Sequence, residues 1–319
     1  MKRLDITFKS GHDQCEGWLY LPEGEAPHPC IVVAHGIGAI RQVRLSAYAE
    51  RFAAAGYAML SFDYRHWGAS GGVPRYLCSI GRQLDDISAA IDAVAQRPEV
   101  DARRIALFGT SFGGGHALAI GARRPDLAAI MSQCTVSDCL AVALRTPLKQ
   151  VVQWVSAGIV DQLRALVGLS PHYIKLAGAP GEAAMMTKLG AEAAYESMLD
   201  GPSPWRNLIA ARLMLTLPLY RPIRRARQIK PPLLMIVCER DEICPAKLAH
   251  KAAALAQDGR AVSFDSSHFE IYFGKLFDAA TEEMIRFLDS KLGREDMAGS
   301  VPKIARAFGA GRSVSGAQR

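Results

Sequence analysis

The run Gly109-Thr110-Ser111-Phe112-Gly113 constrains this chain more than any other. An apolar run at residues 104 to 108 leads into it, and a helix-like run at residues 111 to 124 starts inside it. G-x-S-x-G between a strand and a helix is the pattern of a nucleophile elbow. Such a turn is tight enough that the residues two before and two after the serine must be small. The bend exposes Oγ beside the N-terminus of the next helix. A chain built on it needs a sheet behind the serine and, around it, a base, an acid and an oxyanion hole.

The surrounding pattern supplies the sheet. Strand-like runs at residues 4–8, 15–21, 30–34, 57–62, 104–108, 127–132, 233–238 and 261–264 alternate with helix-period segments at 43–55, 79–97, 111–124, 245–257 and 272–292. The first two strands form an antiparallel pair joined at Gly11-His12-Asp13. Strands separated by helices of this length predict a mostly parallel, doubly wound, eight-stranded α/β sheet covered on both faces. The rhythm breaks between residues 135 and 229. Helical patterns at 147–167, 182–199 and 204–217 are separated by Gly-Pro-rich joints, with no convincing strand. The expected organisation is a core of residues 1–134 and 230–292, a helical lid of residues 135–229, and a flexible basic tail of residues 293–319.

Half of the 319 residues are apolar, enough for a sizeable core. No stretch approaches ~18 uninterrupted apolar residues, so no membrane span is expected. The N-terminus reads as a first strand and not as a signal peptide. The seven cysteines are odd in number and form no C-x-x-C pair, which predicts reduced, buried thiols in a cytoplasmic protein. The net charge of +7 is uneven: residues 205–230 hold seven basic residues and no acid. Aromatics do not interleave with them, so a nucleic-acid partner is not expected. A solvated face is the plain reading, and an anionic substrate group or membrane surface the functional one.

A serine hydroxyl is a poor nucleophile and needs a general base within hydrogen-bond reach. In a doubly wound sheet, catalytic groups collect at the carboxyl ends of strands. His268 follows the strand ending at Phe264 and is the expected base. His116 and His250 lie inside helices, and His12, His28 and His172 in unsupported loops. Asp241, just beyond the strand 233–238, is the expected acid that orients the base, with Glu239, Glu242 and Asp265 as rivals. The order Ser111, Asp241, His268 is the one this architecture requires. Two backbone N–H groups should hold the oxyanion: Phe112, directly after the nucleophile, and Ile37 in the loop His35-Gly36-Ile37-Gly38. Asp63 and Arg65 organise the turn after residues 57–62, a metal role for Asp63 and His66 being remote. Asp85-Asp86 reads as a solvated pair.

These motifs together resemble the α/β-hydrolase superfamily over residues 1 to about 292. The matching residues are His35-Gly36-Ile37-Gly38, Asp63-Tyr64-Arg65, the Ser111 elbow, Asp241 and His268. The segments from Asp63 to Gly72 and from Ser267 to Tyr272 look most like those of serine esterases, S15 peptidases and dienelactone-hydrolase-like bacterial hydrolases. Polyketide acyltransferases and thioesterases share this look. The resemblance implies an α/β-hydrolase fold with a helical lid and a serine hydrolase acting on a small-molecule ester, thioester or acyl-carrier substrate. It implies no metal or organic cofactor. An acyltransferase with the same residues and a non-catalytic binding protein on the same fold are the rivals. Apolar residues of 135–229 exceed what the lid needs for its own packing; packing of the lid on the body accounts for most of them, and an acyl pocket or a homodimer contact is the other use. The basic run from Arg221 to Lys230 is expected near the pocket mouth, where it would favour a phosphate-bearing acyl carrier.

Overall fold

The computed structural model describes residues 1–293. The predicted basic tail therefore lies, from residue 294 onward, outside the described residues. The body runs in chain order through β1 (Lys2–Ser10), β2 (Asp13–Leu21), β3 (His28–Ala34), α1 (Leu45–Ala54), β4 (Ala58–Phe62), α2 (Ile80–Ala95), β5 (Val100–Thr110), α3 (Phe112–Gly121) and β6 (Ala129–Gln133). Next come α4 (Cys139–Ala143), α5 (Leu148–Leu166), β7 (Tyr173–Ala177), β8 (Ala184–Met186), α6 (Ala191–Ser197), β9 (Ile209–Ala210) and α7 (Leu213–Thr216). The body resumes with β10 (Leu233–Cys238), α8 (Ala246–Leu255), β11 (Gly259–Phe264) and α9 (Gly274–Leu292).

Eight strands form one sheet in the order β1-β2-β4-β3-β5-β6-β10-β11. Only the β1–β2 and β2–β4 pairs are antiparallel. The central strands read as unbroken apolar runs because helices cover both faces. β4, β6 and β10 are buried at every position. On one face α1 presents Leu45, Tyr48, Ala49 and Phe52, one side of a helix. Tyr48 packs edge-on against Phe277 of α9, with ring centroids 4.8 Å apart. On the other face lie α2, α3 and α8. All ten residues of α3 are buried, and its small Gly and Ala residues let it approach the sheet closely.

Residues 135–229 depart from the all-helical expectation. They contain a three-stranded sheet, β8-β7-β9, among the helices. Residues 182–199 split into β8 and the short α6, and residues 204–217 into β9 and α7. The strands have two to five residues, too few for a local period to mark them, and β7 pairs with β9 far along the chain. Buried Asp161 of α5 accepts from His172 N and from Arg212 N, Nε and Nη2, clamping the helix to the start of α7.

A second correction concerns Asp85-Asp86. Asp86 is fully buried and meets Arg65 Nε at 2.5 Å and Arg65 N at 3.0 Å. Arg65 therefore carries a charge partner into the core, and the turn holding Asp63 is tied to α2. All seven cysteines are buried and unpaired.

Candidate active site

The glycines of the elbow answer to backbone, not to side chains. A Cβ on Gly109 would run into the Gly113 carbonyl, and one on Gly113 into the Ala34 carbonyl. Both positions admit only hydrogen where β3, β5 and α3 converge. Ser111 itself sits at φ 55°, ψ −117°, a conformation that L-residues avoid. Its N–H donates to Gln133 O at 2.9 Å, and its carbonyl accepts from Val136 N at 3.0 Å. The sheet and the chain after β6 thus hold the strained turn from both sides.

Beyond β10 and β11 the two remaining candidates meet the serine. His268 Nε2 lies 3.0 Å from Ser111 Oγ, and His268 Nδ1 lies 2.7 Å from Asp241 Oδ2. The other carboxylate oxygen, Oδ1, accepts from Ile243 N at 2.8 Å and Cys244 N at 2.7 Å. All three side chains are buried. An ionised carboxylate at Nδ1 fixes the proton there and leaves Nε2 to accept from the serine hydroxyl.

The rival acids have other partners. Glu239 bonds His250 and Ser263, Glu242 pairs with Lys188, and Asp265 pairs with Arg240. His66 is held by Pro74 O and Arg82, and Asp63 by Arg41 N and Ala69 N, so these two do not converge on one point. Among the described residues, the donors grouped closely enough for a metal ion are those of Asp241, Cys244 and His268. A metal there would displace the Asp241–His268 bond, and burial holds the Cys244 thiol well above its ordinary range, disfavouring the thiolate a metal needs.

Phe112 is the first residue of α3, where N–H groups have no intrahelical acceptor. Ile37 faces the same cavity as Phe112 and Ser111. Two aromatics from residues 135–229 hold the Ile37 loop. Tyr195 OH donates to Ile37 O at 2.8 Å and Trp205 Nε1 to Gly38 O at 2.9 Å, and the two rings stack. Behind Phe112, His116 is wholly buried, bonding Tyr220 OH at 2.7 Å and Gln83 Oε1 at 2.9 Å. Burial pulls its pKa down to about 3. The neutral ring thus donates to Gln83 from Nε2 and accepts from Tyr220 at Nδ1. Nothing in the sequence marks these supports, since an aromatic hydroxyl or a mid-helix histidine carries no local sign of its partner.

In front of Ser111 the lining turns apolar. A small chamber of about 80 Å³ lies against Trp154, Met185, Met186, Met214, Leu217 and Ile243. It shares Trp154, Met185, Met186 and Ile243 with a wider, more polar vestibule of about 560 Å³. The vestibule's charged residues are Arg145, Lys149, Lys188 and Glu242. The run from Arg221 lies elsewhere: Arg221 pairs with Asp138, while Arg224 and Arg225 line a groove beside Ile80, Leu84 and Ala119. That groove shares no lining residue with the chamber, contrary to the expectation of a basic pocket mouth.

A strained serine elbow on a mostly parallel sheet, with an acid and a histidine on loops beyond later strands, defines an α/β-hydrolase fold. Comparison with known proteins agrees. Residues 25–268 match the family described as serine aminopeptidase, S33, and the chain belongs to that family. It is 36% identical over 285 residues to the quorum-quenching protein AidA of Acinetobacter baumannii, covering 89% of this chain and 94% of that one. It is 26% identical to the thiohydrolase aneE of Aspergillus aculeatus, covering 86% and 89%. The crystal structure of the α/β hydrolase GrgF from Penicillium sp. sh18 superposes with a TM-score of 0.79 at 22% identity, covering 92% of this chain and 99% of that one. The chain is a hydrolase or acyl-transferring enzyme of the α/β-hydrolase fold. No helix among the described residues is long and apolar enough to cross a membrane.

Proposed function

We propose that this chain hydrolyses a carboxylic ester or thioester through an acyl-enzyme, with Ser111 as nucleophile, His268 as base and Asp241 as orienting acid. The observation that carries the reading is the hydrogen-bond chain Asp241–His268–Ser111, at 2.7 and 3.0 Å. Ser111 Oγ attacks the carbonyl carbon while His268 Nε2 takes the hydroxyl proton. Asp241 stabilises the imidazolium that results. The Phe112 and Ile37 N–H groups hold the oxygen that gains charge, a donor of this kind being worth roughly 3 kcal/mol of barrier. His268 returns the proton to the leaving oxygen or sulfur, and water, activated by the same ring, releases the acid.

Residues 135–229 act as a lid in this reading, over a core of residues 1–134 and 230–292. The apolar chamber takes the acyl chain and the vestibule the leaving group. Methionine is unbranched and adaptable, so the chamber suits flexible acyl chains. The chamber's small volume sets an initial preference for short ones. The finer likeness to serine esterases, S15 peptidases and dienelactone hydrolases rests on the segments Asp63–Gly72 and Ser267–Tyr272 and belongs to the same proposal. The likeness to a thiohydrolase adds thioesters to the substrates to assay.

Labelling with a fluorophosphonate tests the nucleophile. Wild-type protein is expected to be labelled at Ser111, and Ser111→Ala to remain unlabelled while keeping its fold by circular dichroism. Folded wild-type protein that resists the probe would sink the reading. Turnover on p-nitrophenyl esters of graded length, acyl thioesters and peptide anilides then identifies the substrate class. Adding an alcohol or amine separates hydrolysis from transfer by the product formed.

A further inference from the structure

Helix α5 is inside out for a helix that ends in water. Its buried positions are Gln150, Gly158 and Asp161. Its exposed positions carry Leu148, Val152, Val155, Ile159, Leu163 and Leu166, at spacings of 4, 3, 4, 4 and 3 residues. This is one continuous face of an α-helix, along about 28 Å of axis. Leu148 is 77% exposed, Leu163 58% and Leu166 73%. Val160, Val167 and Leu169 widen the stripe. Solvent-facing helices ordinarily show the reverse pattern, and contiguous apolar patches beyond a few hundred Å² mark interaction sites.

The inner face of α5 is already committed. Gln150 Nε2 and Trp154 Nε1 both donate to Ala184 O, at 2.9 and 2.8 Å. Asp161 holds Arg212, and Gly158 lies against Leu215. The outer face is what remains, and Lys149 is the single charged residue among the exposed positions of the helix.

The geometry points to a second copy of this chain as the occupant, docked α5 against α5 about a two-fold axis. Three observations select it. The patch presents nine large apolar side chains, an area on the order of the ~800 Å² that one partner gives to a standard interface. A stripe of nearly even spacing fits its own reverse, as a two-fold contact requires. A helix that lies in a lipid surface carries rows of Lys and Arg beside its apolar face, and this one has only Lys149 and, at its far end, Arg164, whose guanidinium bonds Ser170. The pairing braces α5 from outside, while its inner face supplies Trp154 to the chamber beside Ser111. Each copy thereby steadies one wall of the other's cleft.

Sedimentation of the full chain tests this independently of any activity. Wild-type protein is expected to sediment as a dimer, and Ile159→Glu/Leu163→Glu at half that mass with an unchanged circular dichroism spectrum. Ile159→Gln gives a milder variant, expected to raise the dimer dissociation constant at least tenfold. Leu219→Glu, an exposed apolar position away from the stripe, should leave the dimer intact. A wild-type monomer throughout the micromolar range overturns the proposal, as does a dimer that survives the double substitution. So does co-pelleting of wild-type protein with phosphatidylglycerol vesicles that Ile159→Glu/Leu163→Glu abolishes, since lipid would then be the occupant.

Discussion

Ser111 stands between two differently built surroundings. On the sheet side everything near it is directional: a strained backbone, two glycines pressed on carbonyls, and the bonded histidine and carboxylate. On the side of residues 135–229 the contacts are apolar and pliant, with three methionines in the chamber wall. Directional bonds hold reacting atoms to fractions of an ångström. Dispersion contacts with flexible side chains hold a shape loosely and at low cost to rearrangement. Under the proposed function, one side keeps a single chemistry and the other lets the substrate vary while that chemistry stays. The two sides still touch, through Tyr195 and Trp205 on the Ile37 loop and Tyr220 on His116.

The sharpest break in this contrast comes from the rigid side. Asp241→Asn keeps the shape but offers Nδ1 the wrong partner, and kcat is expected to fall about 10⁴-fold with KM little changed. Steady-state kinetics on one good ester checks it, and a loss confined to KM would show that Asp241 does not orient the base. A substitution on the pliant side should act differently. Met214→Trp fills the chamber, and kcat/KM for long acyl chains is expected to drop by roughly 10- to 200-fold while short chains lose little. Equal losses for all chain lengths would place the acyl group elsewhere.

The smallest expected effect lies at the bond joining the two sides. Burial lowers the His116 pKa to about 3 from an ordinary 6.5. Between those values the unfolded chain binds a proton that the native chain refuses. The stability tied to the neutral ring is thus complete above pH 6.5 and is lost as pH falls toward 3. His35, also lowered by burial, contributes with the same sign. Melting temperatures across that window should therefore decline less steeply in His116→Gln than in wild type, and an unchanged slope would remove His116 as a source of acid sensitivity. Tyr220→Phe leaves Nδ1 of the buried ring without its donor, and a stability loss of about 1–3 kcal/mol by urea unfolding is expected.

Much of the body was legible because its signals are local. β10 begins and ends at the expected residues, and the other core strands differ mainly at their ends. The proximity of His268 and Asp241 to Ser111 is legible because a parallel sheet brings all its carboxyl ends to one edge, which turns position in sequence into position in space. Residues 135–229 differ from the helical expectation where the pattern is short: β7 has five residues and β9 two, too few to show a period. The burial of Asp86 is not legible in the sequence, because a charge in the core is indistinguishable from a charge in water until Arg65 is seen beside it.

The sequence alone determined the turn and what it requires. Small residues around Ser111, strands before helices, and an acid and a histidine after later strands follow from rules that act within a few residues. Only the tertiary structure decided which acid faces the ring, which aromatics hold the Ile37 loop, that Arg224 and Arg225 line a groove apart from the chamber, and that α5 turns its apolar face outward. Each of these is a contact, or the lack of one, between segments tens to hundreds of residues apart. Such contacts are set by how whole elements pack, and no local pattern of residue types encodes them.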